Sequence, residues 1–460
     1  ASVDRTQQPP LATDKRFQAP EVELAKLDNG LQVLVVERRD LPKISFSLVT
    51  RAGSMDDPKG QEGLASLEVE TIKRGTKSRR ALEIDDALGD LGTSLGGYAG
   101  PEQAGLFLDV LRRNLGPAVG IVADVALNPN FPADEVDREK KKRLDDLSQA
   151  ENDPGAISQR VSRILAFGPD HPYGHPSQGF PSTVAKFTSD DLRKFHDTYW
   201  KPGGTALVFV GDISLAEAVE LAKSNFGSWS GGAPPAPKVP APQPVGAGKV
   251  FMINRPDAAQ TSVALVLPGP ARNASDFYSL SLANQVWGGA AGARLGSNIR
   301  EDKGYSYGVF SFPAPLTTTG MWRAAGGVQT NKTKESVVEF EKELKFIAGE
   351  KPVSDTELAN AKHERVRGYA QQFESMGRVT QQISDLWITE MPMSELQREP
   401  DELQKATLDS VNAAAKKYAA PGGATLLLVG DLSKIEAGVR QLNLGETVLL
   451  DVEGKPVATK

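Results

Sequence analysis

One segment of this chain occurs twice, and the repeat constrains the fold more than any other feature. Residues 202–214 read PGGTALVFVGDIS and residues 421–433 read PGGATLLLVGDLS, at a constant offset of 219. The same offset continues upstream in three matched pairs, Thr188 with Thr407, Asp190 with Asp409 and Tyr199 with Tyr418. Solenoid repeats recur every 20 to 50 residues or so, hence a single repeat at this long spacing indicates two related domains.

The length and a proline-rich segment agree with two domains. A chain of 460 residues exceeds one comfortable hydrophobic core. Residues 231–249 read GGAPPAPKVPAPQPVGAGK, which can build neither a helix nor a central strand. We therefore predict a first domain over residues 1–230, a semi-rigid linker over 231–249 and a second domain over 250–460.

Each half combines alternating apolar patterns with long charged stretches. The alternation GLQVLVVERR at 30–39 and ISFSLVTRAG at 44–53 predicts strands, and KVFMIN and TSVALVLPG do the same in the second half. Charged stretches at 133–150 and 333–349 predict helices. The expected fold class is α+β, with two homologous domains that each pack helices on a mainly antiparallel sheet.

The composition excludes several classes of function. The net charge is −6 without any basic block, so neither nucleic acid nor an anionic membrane surface is an expected partner. No apolar run approaches the roughly 18 residues that a membrane span needs, and the absence of cysteine excludes thiolate metal sites. The first residues, ASVDRTQQPPLATDKRFQAP, are polar and resemble an exported chain after signal removal, which predicts a periplasmic protein; a cytoplasmic location is the alternative.

Residues 60–76, GQEGLASLEVETIKRGT, resemble the metal-binding helix of the pitrilysin/insulinase-like zinc peptidases, whose motif is H-x-x-E-H. In register with that motif, Ser66 and Glu70 occupy the two histidine positions and Val69 occupies the position of the general base. The resemblance places Asp146, in KRLDDL, at the family's third ligand. Serine is a poor zinc ligand and valine cannot accept a proton, so we expect no metal here. Weak binding of a hard cation by the oxygens of Ser66, Glu70 and Asp146 is the alternative.

The histidines and the segment GTSLGGYA also bear on the comparison with this family. The four histidines, His171, His175, His196 and His363, are not assigned as ligands. In GTSLGGYA, Gly96 and Gly97 stand where active members carry Asn-Ala on the strand that pairs with substrate backbone, so this half is not expected to hold a substrate for cleavage.

The second half keeps a signature that the first has lost. Residues 284–311, NQVWGGAAGARLGSNIREDKGYSYGVFS, resemble the family's second-domain segment and place Arg300 and Tyr307 at its Arg/Tyr pair. The resemblance implies that Arg300 holds a substrate carbonyl and that Tyr307 donates a hydrogen bond to the developing oxyanion. The alternative makes Arg300 a helix-terminal charge and Tyr307 an aromatic packed in the sheet.

The resemblance as a whole implies a non-zinc subunit of a heterodimeric bacterial metalloendopeptidase. A homologous partner would carry the zinc, and this chain would form half of a clamshell chamber for peptide substrates. It is also related to the mitochondrial processing peptidase and to the core proteins of the respiratory bc1 complex. A non-catalytic scaffold similar to those core proteins is the alternative, and a self-sufficient metallopeptidase would need ligands that the sequence lacks.

Overall fold

The computed structural model describes residues 17–457, and it contains two six-stranded sheets packed with helices. The α+β fold class with two related domains is therefore confirmed. Most of the polar stretch on which the expected export depends, residues 1–16, lies outside the described residues. None of the helices between residues 17 and 457 has the length and apolar character to cross a bilayer.

The first sheet has the strand order β1-β2-β6-β3-β5-β4. Its strands are β1 (Glu23–Lys26), β2 (Gln32–Glu37), β3 (Lys43–Thr50), β4 (Gly96–Ala99), β5 (Ala104–Leu111) and β6 (Thr205–Gly211). Only β2 and β6 run parallel, and the other neighbours are antiparallel. Every residue of β6 is buried, because this strand of the repeat is covered on both faces of the sheet.

Eight helices accompany this sheet along the described chain. They are α1 (Leu64–Thr71), α2 (Ala81–Asp90), α3 (Leu115–Leu127), α4 (Ala133–Ala150), α5 (Pro154–Phe167), α6 (Pro181–Val184), α7 (Ser189–Tyr199) and α8 (Leu215–Phe226). Apolar side chains from α1, α3, α7 and α8 form one core with the inward-facing residues of the sheet. The 18-residue α4 spans the charged stretch predicted to be helical.

The second sheet repeats the first, in the order β12-β7-β11-β8-β10-β9. Its strands are β7 (Val250–Asn254), β8 (Gln260–Gly269), β9 (Ser306–Pro315), β10 (Gly320–Gln329), β11 (Thr425–Gly430) and β12 (Thr447–Leu450). The second copy of the sequence repeat, β11, occupies the same place as β6. The sheets differ at one margin, where β1 is antiparallel to its neighbour and β12 is parallel.

Seven α-helices follow in the second half of the described chain. They are α9 (Phe277–Trp287), α10 (Thr333–Lys345), α11 (Asp355–Gly368), α12 (Met376–Ile388), α13 (Glu395–Lys405), α14 (Leu408–Tyr418) and α15 (Leu432–Arg440). The repeated threonines explain part of the duplicated sequence. Thr188 caps α7 and Thr407 caps α14, each accepting a hydrogen bond from the backbone N–H three residues later.

The two domains exchange helices. From the second domain, α12 packs on β3 and β6 of the first sheet, burying Val379, Ile383 and Leu386 against apolar strand residues. From the first domain, α5 packs in the same way on β8 and β11 of the second sheet. One face of each sheet is therefore completed by the other domain's helix.

The linker runs beside α5 and is hydrogen-bonded to its C-terminal end. No helix or strand occurs between residues 227 and 249 of the described chain. Two backbone N–H groups of this segment donate to the end of α5, Gln243 to the Phe167 carbonyl at 3.0 Å and Val245 to the Leu165 carbonyl at 2.9 Å. The proline-rich segment therefore has a fixed path next to the exchanged helix.

We predict that Ile383→Ala lowers the free energy of unfolding by about 2–5 kcal/mol, because it leaves a cavity in the contact between α12 and the first sheet. Ile383 is 0% exposed. Urea denaturation measures the change. Leu82→Ala is the control, because Leu82 on α2 is 75% exposed and its truncation should have little effect. If both variants lowered the free energy of unfolding by the same small amount, tight packing of α12 on the first sheet would be contradicted.

Candidate functional site

A buried carboxylate holds the start of α1, the helix that carries the altered zinc motif. Asp57 accepts hydrogen bonds from the backbone N–H groups of Gly63 (2.7 Å) and Ala65 (2.8 Å). Gly63 has φ of 97°, in the left-handed region that favours glycine, so the chain turns sharply into the helix. Burial raises the pKa of Asp57. All but one of the α1 side chains are buried, which fixes the helix between the sheet and α7.

A guanidinium group occupies the place next to the first motif position. Arg143, on α4, donates a hydrogen bond from Nη1 to Ser66 Oγ at 3.0 Å. Ser66 is 8% exposed and Arg143 is 9% exposed. Burial lowers the pKa of Arg143, while the carboxylates of Glu70, Asp146 and Glu139 act in the opposite direction. A positive side chain is therefore buried among the residues that correspond to the metal ligands.

The other two ligand positions carry carboxylates that lie near cationic side chains. Glu70 forms an ion pair with Lys73 one turn further along the helix, at 2.9 Å. Asp146 is exposed on α4. The carboxylates at these positions therefore compensate the charge of a guanidinium and an ammonium group.

Val69, at the position of the general base, lies against the edge strand β4. A Cβ atom placed on Gly97 would come within 3.0 Å of the Val69 carbonyl oxygen and 3.4 Å of its Cγ2. A Cβ atom on Gly96 would lie 2.3 Å from the ring of Phe107, on the opposite face of the strand. Both glycines therefore fit a strand that is closely approached from its two sides.

Two of the four histidines, His196 and His171, have structural partners. His196 Nδ1 lies 2.8 Å from Oε1 of the buried Glu68, whose other oxygen accepts from Trp200 Nε1 at 3.1 Å. Burial is the main cause that raises the pKa of Glu68. His171 Nε2 contacts the Pro240 carbonyl at 3.0 Å and so helps to hold the linker.

Arg300 and Tyr307 lie on consecutive elements at the edge of the second sheet. Arg300 is in the last turn of a π-helix over Gly296–Asp302, pairs with Glu301 at 3.2 Å and has a side chain that is 47% exposed. Tyr307, near the start of β9, is 89% exposed. Tyr307 is therefore not packed in the sheet core. Their assignment as catalytic residues stays a prediction.

Sequence reasoning missed Arg143, Asp57 and Glu68. Arg143 stands in the run KKKRLDD, where a charge is ordinarily solvated, although the apolar positions of α4 place it on the buried face with Leu147. Asp57 and Glu68 lack any motif. The sequence indicates their burial only weakly. Asp57 is an acidic residue before a helix that begins after a glycine, and Glu68 is an acidic residue among the apolar residues of α1.

The residues at the motif positions do not fit a zinc ion. Ser66 offers a hydroxyl that Arg143 already engages, and a buried guanidinium repels a dication placed beside it. Within residues 17–457, no group of three or more His, Asp or Glu side chains has an arrangement that could hold a metal ion.

Known proteins share this architecture and parts of the sequence. Residues 33–166 match the family described as insulinase (peptidase family M16), and residues 186–365 match the peptidase M16 inactive domain. An uncharacterised zinc protease of Rickettsia bellii is 26% identical over 341 residues, which cover 73% of this chain and 80% of that protein. One from Mycobacterium leprae is 25% identical over 408 residues, covering 86% of this chain and 89% of the relative.

Solved structures agree. A peptidase M16 inactive domain from Pseudomonas fluorescens superposes with a TM-score of 0.83 at 26% identity, covering 89% of this chain and 98% of that one. A protease from Helicobacter pylori gives a TM-score of 0.82 at 20% identity, over 89% of this chain and all of that one, and shows the shared fold. These matches confirm the resemblance to the pitrilysin/insulinase-like proteins: the chain belongs to peptidase family M16, and its residues 186–365 match the family's inactive domain.

Proposed function

We propose that this chain is the non-zinc subunit of a heterodimeric zinc metalloendopeptidase. The partner, a homologous subunit, supplies the zinc and the general base, and this chain completes the chamber in which peptides are cleaved. The observation that carries the proposal is the exposure of Tyr307, an aromatic residue with a phenol donor directed to solvent at 89% exposure. A residue needed only for the fold of this chain would be buried.

Arg300 and Tyr307 would act on substrate from across the subunit boundary. The guanidinium of Arg300 is a charged donor suited to a main-chain carbonyl, and the Tyr307 hydroxyl can donate to the oxygen that becomes negative during peptide hydrolysis. Arg300 is held at the end of its π-helix, where the Gly304 N–H donates to the Arg300 carbonyl at 3.1 Å. The short connection from Arg300 to β9 keeps both donors on one margin of the second sheet.

The altered helix α1 supports the same division of labour. Arg143 and Lys73 place two cations near Glu70, so the local charge is balanced without a metal. The first domain then serves as a wall of the chamber rather than as a catalytic centre. The exposure of Arg300 and Tyr307 is consistent with a part in hydrolysis.

We predict that Tyr307→Phe, mixed with a zinc-bearing partner from a neighbouring gene, lowers kcat by about 100-fold, because one oxyanion donor is lost. Peptide cleavage by the mixture gives kcat and KM, and sedimentation gives the association of the two subunits. KM and association should change little. Cleavage by this chain alone, abolished by a chelator, would contradict the proposed division of labour.

The matched control is Tyr305→Phe, two residues away. The Tyr305 ring packs against the apolar core of the second domain, so removal of its hydroxyl should leave kcat unchanged. Unchanged turnover in Tyr307→Phe as well would indicate a scaffold subunit.

A second prediction concerns the metal. The motif is restored in the triple variant Ser66→His, Val69→Glu, Glu70→His. With Arg143 in place, the triple variant should bind zinc at least about tenfold more weakly than the same variant with Arg143→Ala. The reason is that the guanidinium repels the dication. Titration against a competing chelator measures the affinities, and circular dichroism checks that both variants fold. Equal affinities would show that Arg143 does not exclude the ion.

A further inference from the structure

Two carboxylates on α10 hold the π-helix that carries Arg300. Asn298 donates hydrogen bonds from Nδ2 to Glu339 Oε2 and to Glu343 Oε1, each at 2.8 Å. Glu339 and Glu343 are four residues apart, so both lie on one face of α10. Asn298 is 8% exposed and Glu343 is 6% exposed, and solvent therefore competes little for these hydrogen bonds.

The same face of α10 attracts the π-helix at its other end. Lys303 Nζ lies 3.9 Å from Glu339 Oε1. Burial acts to raise the pKa of Glu339, but the hydrogen bonds from Lys342 and Asn298 hold that pKa below its usual range. Glu339 is therefore ionised at neutral pH and attracts Lys303. The contacts with α10 thus come from a residue two positions before Arg300 and from one three positions after it.

Stability does not explain the buried carboxylate of Glu343. Its Oε2 atom is shielded from solvent and has no hydrogen-bond partner within residues 17–457, so the Asn298 amide is the group that its other oxygen serves. A buried carboxylate with a single hydrogen bond costs free energy, because its desolvation is not compensated. The presence of Glu343 despite this cost indicates that the position of Asn298 matters for function.

The direction of the Arg300 side chain depends on the backbone beneath it. Among the described residues its guanidinium pairs with Glu301 alone, and the two side chains are 47% and 63% exposed. An exposed pair of this kind contributes little. The backbone closes a π-helical ring, in which the Lys303 N–H donates to the Asn298 carbonyl, five residues earlier, at 3.0 Å.

This ring makes the tertiary contacts of Asn298 important. A π-helix is rare and occurs mostly as a short segment, frequently at functional sites. If the ring relaxed to an α-helical turn, Arg300 would turn by up to about 100° relative to β9, because each residue turns an α-helix by that angle. The hydrogen bonds from Asn298 to α10 oppose this change.

We propose that Asn298, held by Glu339 and Glu343, is a positioning residue for Arg300. It fixes the π-helical turn and so directs the guanidinium toward the carbonyl of a bound peptide. The inference rests on the proposed function, in which Arg300 binds that carbonyl from across the subunit boundary. Asn298 is buried and acts through Arg300.

Hydrogen–deuterium exchange of the chain alone tests whether Asn298 fixes this segment. Asn298→Ala removes both hydrogen bonds to α10, so the amides of residues 303–305 should exchange about tenfold or more faster, the factor expected for a hydrogen bond to a charged group. The matched control is Asn412→Ala on α14. Asn412 makes two hydrogen bonds with the backbone of Val353, and their loss should leave exchange at 303–305 unchanged.

Turnover with the zinc-bearing partner from a neighbouring gene tests the action through Arg300. Asn298→Ala should lower kcat/KM about tenfold or more. Glu343→Gln keeps the Oε1 acceptor and should lower kcat/KM less than about threefold. In an Arg300→Ala background, Asn298→Ala should have no further effect, because the residue that it positions is absent. A residue with a merely structural role would lower kcat/KM equally in both backgrounds.

Three results would overturn the positioning role: unchanged exchange at 303–305 in Asn298→Ala, the same increase in Asn412→Ala, or additive losses of kcat/KM in the double variant. If circular dichroism shows that Asn298→Ala does not fold, Glu343→Leu, which removes one of the two hydrogen bonds, takes its place in both assays.

Failure of the proposed function gives a different result. Arg300→Ala would then leave kcat/KM unchanged, which refutes the role of Arg300 in hydrolysis and with it the positioning role. The exchange measurement on the chain alone would still show whether Asn298 fixes the π-helix. A loss of kcat/KM in Arg300→Ala without any loss in Asn298→Ala refutes the positioning role and leaves the proposed function intact.

Discussion

The rest of the structure depends on the reciprocal packing of α12 on the first sheet and α5 on the second. Without it, each sheet would expose a face of fully buried valine, leucine and isoleucine side chains. The proline-rich linker is secondary to this contact, since its ordered path follows α5. The exchange also determines where the first sheet remains open. Because α12 covers β3 and β6, the margin of the sheet over β5 and β4 remains open on that face.

The helix α1 keeps its packing contacts although its motif positions lack the zinc ligands of the family. Glu68 joins α1 to α7 through His196 and Trp200, and Val69 supports β4 at Gly97. These contacts need the helix at its present place whether or not a metal is bound. A guanidinium from α4 then provides positive charge near carboxylates that would otherwise repel one another. The frame is retained for packing, which explains why the sequence still resembles the zinc motif.

Much of the fold was predictable from the sequence. The parts that were not predictable have one cause in common. The repeat at offset 219 predicted β6 and β11, and the alternation ISFSLV predicted β3. Periodicity shows that a helix has a buried face, but it does not say which sheet receives that face, so the exchange of α5 and α12 was not predictable. The same limit applies to the site. Arg143, in KKKRLDD, has the sequence context of a solvated charge, yet it is buried beside Ser66.

Tyr307 shows what the alternation along a strand leaves out. Val309 and Ser311 are buried, so simple alternation along β9 would bury Tyr307 too. It is exposed where the pairing of β9 with β10 shifts register: Gly326 pairs with Val309 but Val328 pairs with Ser306, so Tyr307 and Gly308 together oppose one residue of β10. This bulge turns the Tyr307 side chain away from the core. An exposed tyrosine adds little to the stability of this chain, and the half-exposed Arg300 forms an ion pair with its neighbour Glu301. In the proposed function, both donors would act on carbonyl groups of a peptide enclosed between this chain and a second subunit.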